Sequence, residues 1–286
     1  MRLDHLTSLI AISDHGSFTA AASAIHLSHS AVSIQMRQLE DQVGAMLFDR
    51  STRPPQLTPL GREYVERARG IIAQVEQLKG LHAHDRLDGK VTFGFVPTTL
   101  QTILPAILTQ LRSRFPDLQV TARSGFSEDL ANAVSGGTLD FAFLTAPKTV
   151  PSGITLDAIA DEPLFLIAAP DTPPHLGVDA ILHQQPYIAF SPQTWLGQKI
   201  VAGLKARGVR FAPAIELDSI DAVENLVAQG FGVSIVPQRL FARDLGTTLR
   251  CLPFGRADQG RQLVLASHPH CNRASLRRYS VEFLRS

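Results

Sequence analysis

Between Gly16 and Leu60 apolar residues recur at helical spacing twice in quick succession. Phe18, Ala21, Ala22 and Ile25 share one helix face, and Leu27 falls in a turn. Ala31, Val32, Gln35, Met36 and Leu39 then follow the same period. The alanines let two short helices approach closely, as a helix-turn-helix requires. Ser28 stands where a side-chain oxygen caps the orphan amides of the second helix. That start puts His29, Ser30, Ser33, Ile34 and Arg37 near the exposed, groove-entering part of the helix.

A longer helix is predicted next. Thr58-Pro59 has the form of a helix start, with Thr as cap and Pro at the first position. Leu60, Tyr64, Ala68, Ile71, Val75 and Leu78 then step by 4, 4, 3, 4 and 3, close to a coiled-coil repeat. A dimerisation helix is the reading favoured here, and a helix packed on its own domain is the alternative. The helix is expected to stop near Gly80, with His82 to Gly89 as a polar hinge.

From Val91 strands and helices alternate. VTFGF, QVTARS and LDFAFLT read as strands around helices at Thr102–Phe115 and Ser127–Ser135. LFLIAA, YIAF, AIEL and VSIVP form a second series around helices at Gly197–Ala206 and Ser219–Gln229. Such alternation predicts an α/β domain with largely parallel sheets. QVTARSGFSEDLANAVSGGTLDFAFL and AIELDSIDAVENLVAQGFGVSIVP both run strand, Ser-started helix, Gly pair, strand, which predicts two related lobes. Ligands of open α/β sheets bind outside the carboxyl ends of the strands. Thr98 and Thr99, after the first strand, suit a carboxylate or similar anion at a helix start. Ser127 holds the equivalent edge after the second strand, and Thr145, Ser191, Trp195, Ser219 and Pro237 lie at other strand ends or rims. For each Ser or Thr a plain helix cap is the alternative, and for Trp195 a core anchor.

Length and composition fit a globular chain of two or three domains: 286 residues, 44% hydrophobic and 19% charged. There is no apolar run of about 20 residues to span a membrane. The N-terminal sequence lacks the pattern of a secretory signal, so a cytoplasmic location is expected. Cys251 and Cys271 are isolated, without metal or CxxC spacing, and read as ordinary small apolar residues. No metal site or cofactor is expected. The sequence has no nucleophile elbow, HExxH, P-loop or full dinucleotide fingerprint, and its ten histidines are scattered. An enzyme is therefore not the expectation. Residues 1–60 hold four arginines (Arg2, Arg37, Arg50, Arg53) against five acids, a net charge of −1. Nucleic-acid binding on that charge must lean on a few placed arginines, hydroxyls, backbone amides and helix N-termini.

The N-terminal segment resembles the LysR-type transcriptional regulators. The matching residues are Gly16-Ser17-Phe18, Ala21-Ala22, Ala31-Val32-Ser33, Gln35, Leu39-Glu40, Gly44, Leu47-Phe48, Arg50, Leu57-Thr58 and Gly61. The resemblance implies a winged helix-turn-helix over 1–58, a linker and dimerisation helix with its hinge over 59–89, and a two-lobed, periplasmic-binding-protein-like effector domain over 90–286. It implies DNA contacts from Ser28, His29, Ser30, Ser33, Ile34, Gln35, Arg37, Arg50 and Arg53, the last two in a wing spanning Asp49 to Gln56. Gln35 bracing its helix, Arg37 facing solvent and Arg50 paired with Asp49 or Glu40 are the competing readings. Two departures matter: His29 stands where the family commonly has Gln, and Ile34 where it commonly has Arg. Ile34 offers a thymine methyl packing but no hydrogen bond, so the family's usual base preference does not carry over to this chain. The implied partners are promoter half-sites of double-stranded DNA, further copies of the chain in a dimer or tetramer, a small-molecule co-inducer and RNA polymerase. A transport-type binding module and an architectural repressor with an empty cleft are the rival readings.

Overall fold

The structure, a computed structural model, describes residues 1–52, 54–79, 87–210, 212–239, 248–255 and 260–285. The chain divides into two compact units, Met1–Ala83 with Gly136–Thr138 and His84–Ser135 with Leu139–Ser286.

The first unit begins with a helix that the sequence reading did not assign, α1 (Leu3–His15). Its Leu6, Leu9 and Ile12 are buried in one core with Ala21 and Ala22 of α2 (Phe18–Ala24) and Val32, Met36 and Leu39 of α3 (His29–Val43). The caps are those the sequence favours. Ser17 accepts from the amide of Ala20, and Ser28 from that of Ala31, each at 3.1 Å. Gly44 ends α3 in the left-handed region, at φ 72°. The hairpin β1 (Phe48–Asp49) and β2 (Gln56–Leu57) pairs antiparallel, Phe48 opposite Leu57. Then α4 (Pro59–Lys79) starts where Thr58 Oγ1 accepts from the Gly61 amide at 3.0 Å. Gly61 passes beneath the hairpin so closely that a Cβ there would stand 2.2 Å from the Leu47 carbonyl oxygen.

The apolar stripe on α4 divides. Ala68 is fully buried in the unit's own core, and Tyr64 packs against it. These two follow the packed-helix alternative, because α4 lies against α1; Arg69 also pairs with Asp14 there. Leu60 and Ile71 remain exposed and Val75 half-buried, while the Leu78 side chain lies outside the described residues. The expected end near Gly80 and most of the hinge also lie outside them.

The second unit has two lobes. The first carries β3 (Gly89–Phe95), α5 (Ile103–Arg114), β4 (Leu118–Ser124), α6 (Ser127–Ser135), β5 (Phe141–Thr145) and β6 (Thr155–Glu162). The second carries β7 (Leu164–Ala168), α7 (Val178–Gln184), β8 (Ile188–Phe190), α8 (Trp195–Ala206), β9 (Ile215–Leu217), α9 (Ile220–Ala228), β10 (Ser234–Pro237) and β11 (Arg250–Pro253). The chain returns to the first lobe with β12 (Arg261–Ser267) and α10 (Ala274–Arg285).

The internal echo has a topological counterpart. β3 lies between β4 and β5, parallel to both. β8 pairs parallel with β9, and a parallel bridge from Tyr187 to Val233 sets it beside the start of β10. In each lobe a central strand is flanked by the two strands of the repeated strand–helix–strand unit. The sheets are nevertheless mixed rather than largely parallel. β12 runs antiparallel between β5 and β6, and β7 runs antiparallel between β10 and β11. The reason is that β6, β7, β11 and β12 are the segments that enter and leave each lobe. Phe93, Phe95, Phe141 and Phe143 fill the first lobe's core, with ring centroids 5.2 Å apart for Phe93–Phe141 and 5.3 Å for Phe95–Phe143. Leu166, Ile167, Ile188, Val223 and Ile235 fill the second.

Candidate DNA-contact surface and inter-lobe cleft

On the first unit, burying Val32, Met36 and Leu39 turns the opposite side of α3 outward. Ser28, His29, Ser30, Ile34 and Arg37 are exposed, and Ser33 is half-buried. Ile34 is 54% exposed, a large apolar side chain offered to solvent at the helix start. Ser28 is occupied as cap and lies 2.9 Å from the Ser30 hydroxyl. Two expected DNA residues also act as braces. Gln35 Oε1 accepts from the buried Ser8 hydroxyl at 2.5 Å, tying α3 to α1. Arg50 donates to Glu40 Oε2 at 2.7 Å, while Glu40 Oε1 accepts the amides of Leu47 and Phe48. Arg50 keeps 42% of its side chain exposed, and with Arg37 it borders one open basin of about 480 Å³ between the end of α3 and the hairpin. Arg53 lies outside the described residues.

In the second unit the strand ends meet where the chain crosses between lobes. A cavity of about 20 Å³, room for one water-sized molecule, is lined by Thr98, Ser127, Thr145, Thr194 and Arg261 among apolar walls that include Phe126 and Phe190. Two of the hydroxyls are set as donors. Thr98 Oγ1 accepts from Arg261 Nη1, and Ser127 Oγ accepts from the Thr145 amide at 3.2 Å. Each hydroxyl proton is thereby left to point elsewhere.

The other expected effector residues sit differently. Thr99 is 1% exposed and donates to the Val96 carbonyl at 2.8 Å, so it closes the turn after β3 instead of facing a ligand. Ser219 is exposed and caps α9 through the Ala222 amide. Trp195, at the start of α8 in the second lobe, packs on a core cluster of the first, the anchor alternative. Ser191 is buried with its Oγ unpartnered and φ at 35°, next to the lining residue Phe190. Pro237 ends β10 inside the second lobe's sheet, opposite Leu164.

The residue missed by the sequence reading is Arg261, 1% exposed, with its Nε donating to Glu162 Oε2 at 2.6 Å. Burial pulls this guanidinium below its ordinary pKa, and the Glu162 carboxylate opposes that shift. Glu162 ends β6 and Arg261 opens β12, and the two are register partners. The only sequence signal was a charge at the mouth of each apolar strand beside a crossing. Nearby, Gln101 of the first lobe donates to Asp221 of the second at 2.8 Å. The buried Arg239 gathers Asp221 and Glu224, and burial raises the Glu224 pKa despite that arginine.

An exposed helix start beside a two-stranded wing, joined in one chain to a two-lobed domain with a polar seat between the lobes, defines a ligand-responsive DNA-binding protein. Comparison with known proteins agrees. Residues 3–62 match the bacterial regulatory helix-turn-helix family of lysR type, and residues 84–286 match the LysR substrate binding domain. The chain belongs to the LysR family: it is a DNA-binding transcriptional regulator with an effector-binding domain, in a family of regulators and not of enzymes. Similar proteins include a hydrogen peroxide-inducible genes activator of Pectobacterium carotovorum, 27% identical over 94% of this chain and 91% of that protein. A probable RuBisCO transcriptional regulator of a Nostoc species is 29% identical over 94% of this chain and 83% of its own. Among solved structures, a full-length OxyR variant from Pseudomonas aeruginosa aligns at TM-score 0.76 with 20% identity, covering 100% of this chain and 95% of that one. Full-length CbnR in complex with its target DNA aligns at 0.67 with 18% identity, covering 99% and 100%. No helix among the described residues is long and apolar enough to cross a membrane.

Proposed function

We propose that a small carboxylate-bearing metabolite binds between the lobes and shifts this regulator between two DNA-bound assemblies. The supporting observation is the pair of hydroxyls, Thr98 and Ser127, whose oxygens already accept hydrogen bonds and whose protons are left for an acceptor at one cavity. The cavity is far smaller than a metabolite, so binding requires the lobes to part, and a ligand shifts an equilibrium only through unequal affinity for its states. DNA binding falls to residues 1–58, pairing of copies into a dimer or tetramer to the helix of 59–89, and sensing to 90–286. The exposed Leu60 and Ile71 offer an apolar edge for that pairing. His29, Ser30, Ser33 and Ile34 read the duplex, and Arg37 and Arg50 flank it. The protein works in the cytoplasm, where its promoter DNA lies.

A peroxide sensor built on a disulfide between its cysteines is the reading that the relatives' names raise. The two cysteines argue against it: Cys251 packs on the second lobe's core and Cys271 on the first's, and burial pushes the Cys271 thiol up.

The test is footprinting of the full chain on DNA upstream of its own reading frame, with and without a panel of organic acids. Wild type is compared with Thr98→Val and Ser127→Ala. A protected site whose boundaries change with one acid, in wild type alone, supports the reading. A footprint that no acid alters, or one altered equally in the variants, refutes it.

A further inference from the structure

We infer that Arg261 is the effector's charge partner, and that an incoming carboxylate takes the guanidinium from Glu162, its resident counter-ion. The inference rests on the carboxylate reading above and assigns it a residue and a switch.

The pairing in place is a poor one for so buried a cation. Arg261 Nε and Nη2 both converge on the single oxygen Oε2 of Glu162. Nη2 is buried and makes no hydrogen bond of proper geometry. An arginine pairs best with a carboxylate through two parallel bonds to two oxygens, which gives a ligand something to gain here. The guanidinium also lines the cavity and holds Thr98, so it is within reach of whatever occupies that seat. A buried ion pair is seldom retained for stability, because well-packed apolar residues serve as well.

Its position supplies the consequence. The chain leaves the first lobe just after Glu162 and returns to it just before Arg261, so the pair clasps both crossings. The crossings touch at backbone level: a Cβ on Gly260 would lie 2.4 Å from the Glu162 carbonyl oxygen. Removing Glu162 from Arg261 breaks the side-chain tie between the crossings and leaves the backbone pairing of β6 with β12 as the hinge on which the second lobe moves. Parting of the lobes admits water to the Glu162 carboxylate and lowers the cost of separating it from the guanidinium.

The test is calorimetric titration of the full chain with acetate, pyruvate, succinate and benzoate, using acetamide and benzamide as uncharged controls. Three proteins are compared: wild type, Glu162→Gln, and the double variant Glu162→Gln with Arg261→Met. The double variant removes both charges at similar volume, and a thermal melt of each protein checks that the fold is kept. A carboxylate that binds wild type is expected to bind Glu162→Gln about ten-fold tighter and the double variant about ten-fold weaker, with no binding of the amides. A structural role alone would weaken both variants together. Equal affinity in all three, or joint weakening, overturns the assignment of Arg261 and leaves the carboxylate reading standing. Failure of every carboxylate to bind either wild type or Glu162→Gln overturns both.

Discussion

Glu40 reaches out from α3 to meet Arg50 at 2.7 Å, and with its other oxygen it holds the two amides that begin the wing. The carboxylate is 5% exposed, so one buried acid fixes the angle between recognition helix and wing. Glu40→Ala strands two amides and is expected to cost about 2–4 kcal/mol in urea unfolding of the full chain. Glu40→Gln keeps an acceptor and is expected to lose less than half of that. Equal losses would show that the amide contacts are not what the acid contributes.

Gly61 has no room for a side chain. Gly61→Ala is expected to destabilise the first unit by at least about 3 kcal/mol, since the Cβ would meet the backbone oxygen of Leu47 and not a yielding side chain. Specific DNA binding falls with it, because the wing sits on that contact. A melting curve and footprint matching wild type would count against this packing.

Ile34, proposed above as a reader of the duplex, allows stability and recognition to be tested apart. Ile34→Ala removes an exposed side chain and should change stability by no more than about 0.5 kcal/mol. The same change should weaken the specific site by about five- to one-hundred-fold, and leave random duplex unaffected, if the methyl groups read a thymine. A uniform loss on all sequences would assign Ile34 to general affinity.

The shortage of basic residues sets the salt response. With four arginines against five acids over residues 1–60, and Arg50 already paired, few phosphates are neutralised per copy. A plot of log affinity against log salt is expected to be shallower than about −8 for the DNA-bound assembly. A steeper slope would mean that contacts outside this unit carry the binding.

What the sequence disclosed follows the range of its interactions. Ser28, Thr58 and the exposed face of α3 were legible because caps and helical periods act within a turn. The repeated strand–helix–strand units were legible for the same reason. β6, β11, β12 and α10 were not, because their partners are distant: Leu263 lies opposite Thr145, over one hundred residues earlier in the chain. Arg261 was invisible for that reason too, since its donors end on Thr98, in the turn after β3, and on Glu162 of β6, both far upstream. Arg50 and Gln35 were ambiguous because residue type alone does not say whether a polar side chain turns outward or to a buried partner.

The strand order has a consequence for how the protein is made. Among the described residues β6 joins its sheet through β12 alone, a strand made only after the whole second lobe. As the polypeptide leaves the ribosome, the lobe built from β7 to β11 is complete while its neighbour still waits for that strand and for α10. Through this interval Ile159 and Ala160 of β6 have no sheet to join, and the phenylalanines beneath lack part of their cover. Any stall or truncation before β12 would therefore spoil the middle of the molecule, and the nascent chain would need a chaperone most until that strand has emerged.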